Sequence, residues 1–140
     1  MVHALQEIHR VLKPDGILID LRPLADRWPI EVTSLSKTEE AVRVSDLPEG
    51  LEQDRSADRA IQEGVAQNWY RIKSSEHFPF FYYWDSPKEM QDYIQEEWED
   101  FARIEEQKWS TIRSMWAVAN ADARLRIRVK MLITRLQKIG

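Results

Sequence analysis

The 140-residue sequence contains no cysteine, and this absence excludes several classes of site. Disulfide frameworks, thiol nucleophiles and cysteine-ligated zinc or iron–sulfur centres all require that residue. No apolar run approaches the roughly 20 residues that span a bilayer, and the first ten residues do not have the form of a secretory signal peptide. We therefore expect a cytoplasmic protein that does not insert into a membrane.

Glycine is also scarce, with four residues at positions 16, 50, 64 and 140. They are too scattered to form a GxGxxG turn or a P-loop, the motifs that bring backbone N–H groups to phosphates. His3 and His9 are six residues apart on a predicted helix, so they lie on different faces and do not form a metal-binding pair. The residues thus predict no metal site and no nucleotide-binding loop.

The net charge of −4 is distributed unevenly. Residues 121–140 carry a net charge of +5, and the first 120 residues carry −9. Four of the cations alternate along one predicted strand: Arg124, Arg126, Arg128 and Lys130. Such a ladder can meet nucleic-acid phosphates, but the acidic segment 87–106 offers opposite charge, and cationic edge strands resist aggregation. We favour the structural explanation and do not expect nucleic acid as the partner.

Apolar residues make up 43% of the chain, enough for one compact domain over residues 1–140. Apolar residues spaced by three and four predict an N-terminal helix that stops at Lys13, before Pro14. Pro14-Asp15-Gly16 predicts a tight turn in which the glycine takes a positive φ. The apolar run 17–21 then predicts a strand that is covered on both faces, as in a parallel α/β sheet.

The remaining elements alternate in type. Weak alternation predicts a small hairpin over 30–33 and 41–44, and an apolar stripe predicts a helix over 53–72 in which Gly64 allows close packing. Aromatic residues predict a strand over 77–84, confined to an edge by Pro79. Ser86 should cap a long helix, or two helices broken near 105. Strict alternation predicts a half-buried strand in which residues 125, 127, 129, 131 and 133 face inward.

Residues 4–20 read ALQEIHRVLKPDGILID and closely resemble one block of the class I S-adenosylmethionine-dependent methyltransferases of the type 11-like group. In that family a helix reading AL-x-E-x-x-RVLKPGG leads into the fifth strand of the sheet. The matching positions are Glu7, Arg10, Leu12, Lys13, Pro14 and Gly16. Asp15 stands where glycine is commoner, a mild change because aspartate tolerates turn conformations.

The resemblance implies an α/β fold of which residues 1–140 form only part. This partial Rossmann-like methyltransferase fold has the order helix, buried strand, small hairpin, helix, aromatic strand, long helix and C-terminal strand, and the last two strands resemble the family's sixth and seventh. The family's cofactor, S-adenosylmethionine, lies at the C-terminal ends of the early strands. The glycine-rich turn and the ribose-binding acidic residue that hold it are expected upstream of Met1. We therefore expect no cofactor-binding residue in this chain and no binding of the cofactor by the chain alone.

Six residues are candidates for contact with a methyl acceptor, because they follow the predicted fifth strand or lie in the aromatic segment: Asp20, Arg22, His77, Tyr82, Tyr83 and Trp84. Methyl transfer requires mainly alignment of the acceptor with the donor, sometimes with a base. Each candidate has an ordinary explanation that we weigh more heavily. The aromatic side chains would pack in a core or at a sheet edge, and His77 would be structural or exposed. Arg22 would pair with a nearby carboxylate: Asp20, Asp26 or Glu31. No catalytic residue is assigned.

Two functions of different classes follow. The chain is either a methyltransferase-family polypeptide that forms a working enzyme with a complementary N-terminal-half chain, or a non-catalytic interaction protein. The second follows because strand 17–21, without the strands that precede it in the family, leaves an open edge and a bare apolar face. Self-association into a homo-oligomer, a partner chain or rearranged helices must cover that surface. The resemblance favours the first function. For the chain taken by itself we favour the second, and nucleic-acid binding is a weaker third.

Overall fold

A computed structural model describes all 140 residues and contains four helices and seven strands. The helices are α1 (Val2–Val11), α2 (Pro48–Ala66), α3 (Pro87–Glu97) and α4 (Glu106–Ala117). The strands are β1 (Ile17–Pro23), β2 (Pro29–Thr33), β3 (Thr38–Arg43), β4 (Ser45–Asp46), β5 (Tyr70–Trp84), β6 (Ala102–Arg103) and β7 (Arg124–Lys138). The chain is therefore α/β, as predicted. None of the four helices is both long enough and apolar enough to cross a membrane.

The larger sheet has five strands in the hydrogen-bonded order β1-β7-β2-β3, with β5 also paired to β7. The pairs β1–β7, β2–β7 and β2–β3 are all antiparallel. The prediction of a parallel strand buried on both faces at 17–21 is thus wrong. Ile19 and Leu21 are 49% and 54% exposed. Only the face that carries Leu18 packs against the apolar core.

The chain divides into two compact units, the first of which comprises residues 1–24, 52–78 and 131–140. Its buried core residues come from α1, α2, β5 and β7: Leu5, Ala60, Tyr70 and Leu136. The Tyr70 hydroxyl donates a hydrogen bond to the Leu5 carbonyl at 2.7 Å, and burial raises the pKa of Tyr70. A Cβ on Gly64 would lie 3.3 Å from the Tyr70 ring, which confirms the predicted close packing.

Helix α2 begins and ends earlier than the predicted range 53–72. Asn68, with φ of 59°, lies in the turn that follows the helix, and β5 begins at Tyr70. Trp69 still packs against the core of the first unit although it is outside the helix. The apolar stripe therefore continues in the sequence beyond the point where the helix stops.

The second unit comprises residues 25–51 and 79–130. The predicted hairpin is present as β2 and β3, and β2 also pairs with residues 124–127 of β7. Two helices replace the single long one, as the second alternative predicted, and each contributes buried side chains: Met90 and Ile94 from α3, Trp109 and Ile112 from α4. Ser86 caps α3 by accepting a hydrogen bond from the Glu89 N–H at 3.2 Å.

Strand β7 is longer than predicted, and its buried residues change from odd-numbered to even-numbered positions along its length. Residues 125, 127 and 129 are buried as predicted. Residues 132, 134 and 136 are buried beyond them, so the expectation that Met131 and Ile133 face inward is wrong. In the first unit the apolar core that includes Leu5 and Ala60 packs against the even-numbered side of this strand, at Leu136.

Candidate functional site

Asp20 and Arg22 lie on one side of β1, because alternate side chains of a strand point to the same face. Arg22 Nε donates to Asp20 Oδ2 at 3.0 Å, and Arg22 Nη2 donates to Asp58 Oδ1 of α2 at 2.6 Å. The ion pair with Asp20 is one of those the sequence favoured. Asp58 was not foreseen, since nothing in the sequence links residues 36 positions apart.

The guanidinium of Arg22 is well shielded, with 15% of its side chain exposed. Burial acts to lower the pKa of Arg22, but hydrogen bonds and charge from Asp58 and Asp20 outweigh it and raise that pKa above its ordinary value. The Nη1 atom is buried and has no hydrogen-bond partner. Two carboxylates around one cation leave the cluster with a net negative charge, so it does not form an anion-binding site.

His77 lies within the stretch of β5, residues 71–80, in which every residue is exposed. It makes no ion pair or hydrogen bond with Asp20 or Arg22. Three of the six predicted contact residues lie in the first unit. Asp20 and Arg22 are in contact, and His77 lies apart from them.

Tyr82 and Trp84 belong to an aromatic cluster in the second unit. Their rings are stacked, with centroids 6.1 Å apart, and the Trp98 ring meets Tyr82 edge-on at 5.2 Å. Tyr93 of α3 contacts both Tyr82 and Trp84. Trp84 is buried and Tyr82 is half-buried, which is the packing role that aromatic residues commonly have.

Tyr83 is exposed and contacts the basic ladder, the four cations at positions 124, 126, 128 and 130 of β7. The Arg124 guanidinium lies 4.8 Å from the Tyr83 ring centroid, and that of Arg126 lies 4.5 Å from the Phe81 centroid, both cation–π contacts. Burial acts to lower the pKa of Arg126, and interactions with Tyr83 and Glu31 raise it overall.

Each cation of the ladder also has a carboxylate partner. The ion pairs are Arg124–Asp85 at 3.1 Å, Arg126–Glu31 at 2.8 Å, Arg128–Glu31 at 3.8 Å and Lys130–Asp26 at 3.4 Å. The prediction that helix 87–106 supplies the opposite charge is wrong. The prediction of an edge strand is also wrong, because β7 pairs with three other strands.

The residues of the family motif form one helix–turn–strand block. Glu7 and Arg10 make an exposed ion pair at 3.0 Å, and the Gly16 N–H donates to the Lys13 carbonyl at 2.9 Å. The Leu12 carbonyl, which follows the end of α1, accepts a hydrogen bond from Lys138 Nζ at 2.7 Å. The motif residues are therefore used to shape the turn before β1 and to fix it to the end of β7. Pro14 is exposed at the start of that turn.

The turn corrects one expectation about Gly16. Asp15, not Gly16, has the positive φ, at 58°. Gly16 is required for another reason, because a Cβ there would lie 2.8 Å from the Lys13 carbonyl oxygen.

The four glycines do not form a cradle for S-adenosylmethionine, the cofactor that the resemblance implies. The space beside Gly16, Gly50 and Gly64 is filled by the chain's own atoms, from Lys13, Phe101 and Tyr70 respectively. A Cβ on Gly140, the last residue, would meet no other part of the chain within 4 Å. The residues that are present therefore do not fit the cofactor. No group of three or more histidine, aspartate or glutamate side chains is placed to hold a metal ion.

A pocket of about 290 Å³ in the second unit was not predicted. Ile94, Ile104 and Trp109 form its apolar part, and Gln95, Glu99 and Arg103 form its polar part. These residues come from α3, β6 and α4 and from the segments between them. Only the folded chain places them together, since no motif spacing relates them.

No family model, curated protein or solved structure matches this chain.

Proposed function

We propose that this chain is a methyltransferase-family polypeptide that resembles the C-terminal half of a class I S-adenosylmethionine-dependent methyltransferase. By itself it does not bind that cofactor, and it acts by associating with another polypeptide through β1. The observation that carries the proposal is that β1 pairs with β7 alone and leaves Ile19 and Leu21 about half-exposed.

The block that resembles the family supports the first part of the proposal. A helix, a turn closed by Lys13 and Gly16, and strand β1 follow one another where the motif predicts them. Strand β7, which resembles the family's closing strand, pairs with β1 and with the aromatic strand β5. The adjacency of these three strands supports the resemblance, whereas the antiparallel pairing of β1 with β7 differs from the parallel strand that the motif predicts.

The exposed side of β1 supports association. Leu21 lies opposite Ile133 of β7, and Pro23 lies opposite Met131, so apolar side chains adjoin on the face away from Asp20 and Arg22. A strand edge with free hydrogen-bonding groups is a template for a further strand. An apolar face beside such an edge favours burial against a partner. A complementary chain that supplies the cofactor-binding strands would make the assembly an enzyme.

Titration calorimetry with S-adenosylmethionine tests the cofactor part. We expect no saturable heat for the purified chain, because the glycine-rich turn is absent from its 140 residues. Binding in the micromolar range would overturn the proposal. Light scattering tests the association part, and Leu21→Lys should weaken association, since the lysine would place a charge on the apolar face.

A further inference from the structure

The backbone of β1 has a defined hydrogen-bonding phase. The Lys138 N–H donates to the Gly16 carbonyl at 2.8 Å, which marks this position as a hydrogen-bonded pair of the antiparallel ladder. Such pairs recur at every second residue, so the even-numbered residues 18–22 point their backbone groups at β7. The odd-numbered residues 17–23 point theirs at the free edge. Pro23 presents a carbonyl there but no N–H.

Resting on the proposed function, we propose that the occupant of this free edge is β1 of a second copy of the chain. The two strands pair antiparallel about a two-fold axis that passes through Leu21. An interface of this kind uses the same surface of both subunits, so the surface must be complementary to itself. The sequence of β1 meets that requirement in one register.

Charge selects the register. Opposite residues of a ladder point to the same face, so the two-fold axis must pass through a residue position. An axis at Leu21 places Asp20 opposite Arg22 of the partner subunit, and this pairing occurs twice. An axis at Asp20 places two aspartates opposite each other, and an axis at Arg22 places two arginines opposite each other. Like charges directly opposite destabilise a ladder, and opposite charges stabilise it.

The fourth possible axis passes through Ile19, and in that register neither charged residue lies opposite a charged residue. Asp20 would then face Leu18 of the partner subunit, and Arg22 would face its Gly16. The Leu21 register is therefore the one in which both charged residues meet an opposite charge. Arg22 uses Nε and one N–H of Nη2 within its own chain, and Nη1 is buried, so the second N–H of Nη2 is the donor left for the partner's Asp20. That carboxylate arrives with the partner's Arg22, so the paired clusters gain a cation together with the anion.

The hydrogen-bonding phase is compatible with this register. Leu21 belongs to the odd-numbered set, so the two Leu21 residues exchange a pair of backbone hydrogen bonds. The Ile19 N–H donates to the carbonyl of Pro23 of the partner subunit, and because this occurs twice the edge forms four bonds. On the exposed face, Leu21 lies beside its counterpart and Ile19 lies beside the partner's Pro23, so apolar side chains adjoin across the interface.

A disulfide test measures the register directly, because the chain has no native cysteine. In a hydrogen-bonded antiparallel pair the Cα atoms are about 5.5 Å apart, within the range that a disulfide spans. Leu21→Cys places the two thiols opposite each other. Ile19→Cys is the matched control: the two sites are 54% and 49% exposed, but the two Ile19 positions would be about 14 Å apart along the strands.

We expect light scattering to show a dimer of the unmodified chain. Under mild oxidation, Leu21→Cys should form at least tenfold more cross-linked dimer than Ile19→Cys at equal concentration. Both reduced variants should have the circular dichroism spectrum of the unmodified chain. A chain that stays monomeric at all concentrations would overturn the proposal and leave the edge to a different polypeptide. A dimer in which both cysteine variants cross-link equally would overturn the Leu21 register but not the association on which the proposed function depends.

Discussion

Arg22 joins strand β1 to helix α2 through its two carboxylate partners. Asp20 is two residues away on the same strand, and its side chain is 21% exposed. Asp58 is more open, with 54% of its side chain exposed. Removal of such a cation lowers the free energy of unfolding more when its carboxylate partners are shielded, because water cannot then replace the lost ion pair.

Arg22→Met tests this structural role. The substitution keeps much of the aliphatic volume but leaves the shielded Asp20 carboxylate without its partner. We expect the free energy of unfolding to fall by about 1–3 kcal/mol, the usual cost of an uncompensated, partly buried polar group. Urea denaturation at neutral pH measures it. Arg10→Met is the control, because it removes an ion pair that is 68% and 49% exposed and should cost less than about 1 kcal/mol. Equal effects of the two variants would contradict the assigned role.

The helix–turn–strand block at residues 2–23 was predicted almost in full at the scale of the element. Periodic apolar residues and Pro14 define where α1 ends, and both are local in the sequence. The environment of β1 was not predicted, because its pairing partner β7 lies more than a hundred residues away. The end of α2 was predicted too late. Trp69 continues the helical spacing of apolar residues, but it packs against the core from outside the helix.

The turn inside this block gives the second prediction. Gly16→Ala should lower the free energy of unfolding by about 1–3 kcal/mol, because the new Cβ would overlap the Lys13 carbonyl oxygen and force the backbone to shift. Asp15→Gly introduces the residue that is commoner in the motif that residues 4–20 resemble. It relieves a left-handed residue and adds freedom to the unfolded chain, so the two effects oppose and the net change should stay within about 1 kcal/mol. Thermal and urea denaturation of both variants distinguish these outcomes. A larger loss for Asp15→Gly than for Gly16→Ala would show that the geometry of the turn is misassigned.

For the whole molecule, the sequence predicted the α/β class and one local ion pair, but not how the other charges pair. The candidate residues divide accordingly. Asp20 and Arg22 pair locally, so nearness in the sequence was enough to predict their contact. Asp58, and the carboxylates that pair with the basic ladder, come from distant segments. No pattern in the sequence indicated that these carboxylates would contact their arginine and lysine partners.

The pairing of the basic ladder gives a prediction for the molecule as a whole. Affinity for nucleic acid depends on cations that are free to replace the counterions of phosphates. Glu31 is buried and lies beside both Arg126 and Arg128, so it cancels one of the two positive charges at the centre of the ladder, in a chain that already carries a net charge of −4. We therefore expect no binding of a labelled single-stranded RNA at about 150 mM salt, measured by fluorescence anisotropy. Glu31→Gln keeps the shape of the side chain and removes its charge, so this variant should bind more tightly than the unmodified chain at low salt. If the unmodified chain bound RNA with a steep salt dependence, and Arg126→Glu with Arg128→Glu abolished that binding, the ladder would be a nucleic-acid surface, and the carboxylates beside it would not be enough to neutralise it.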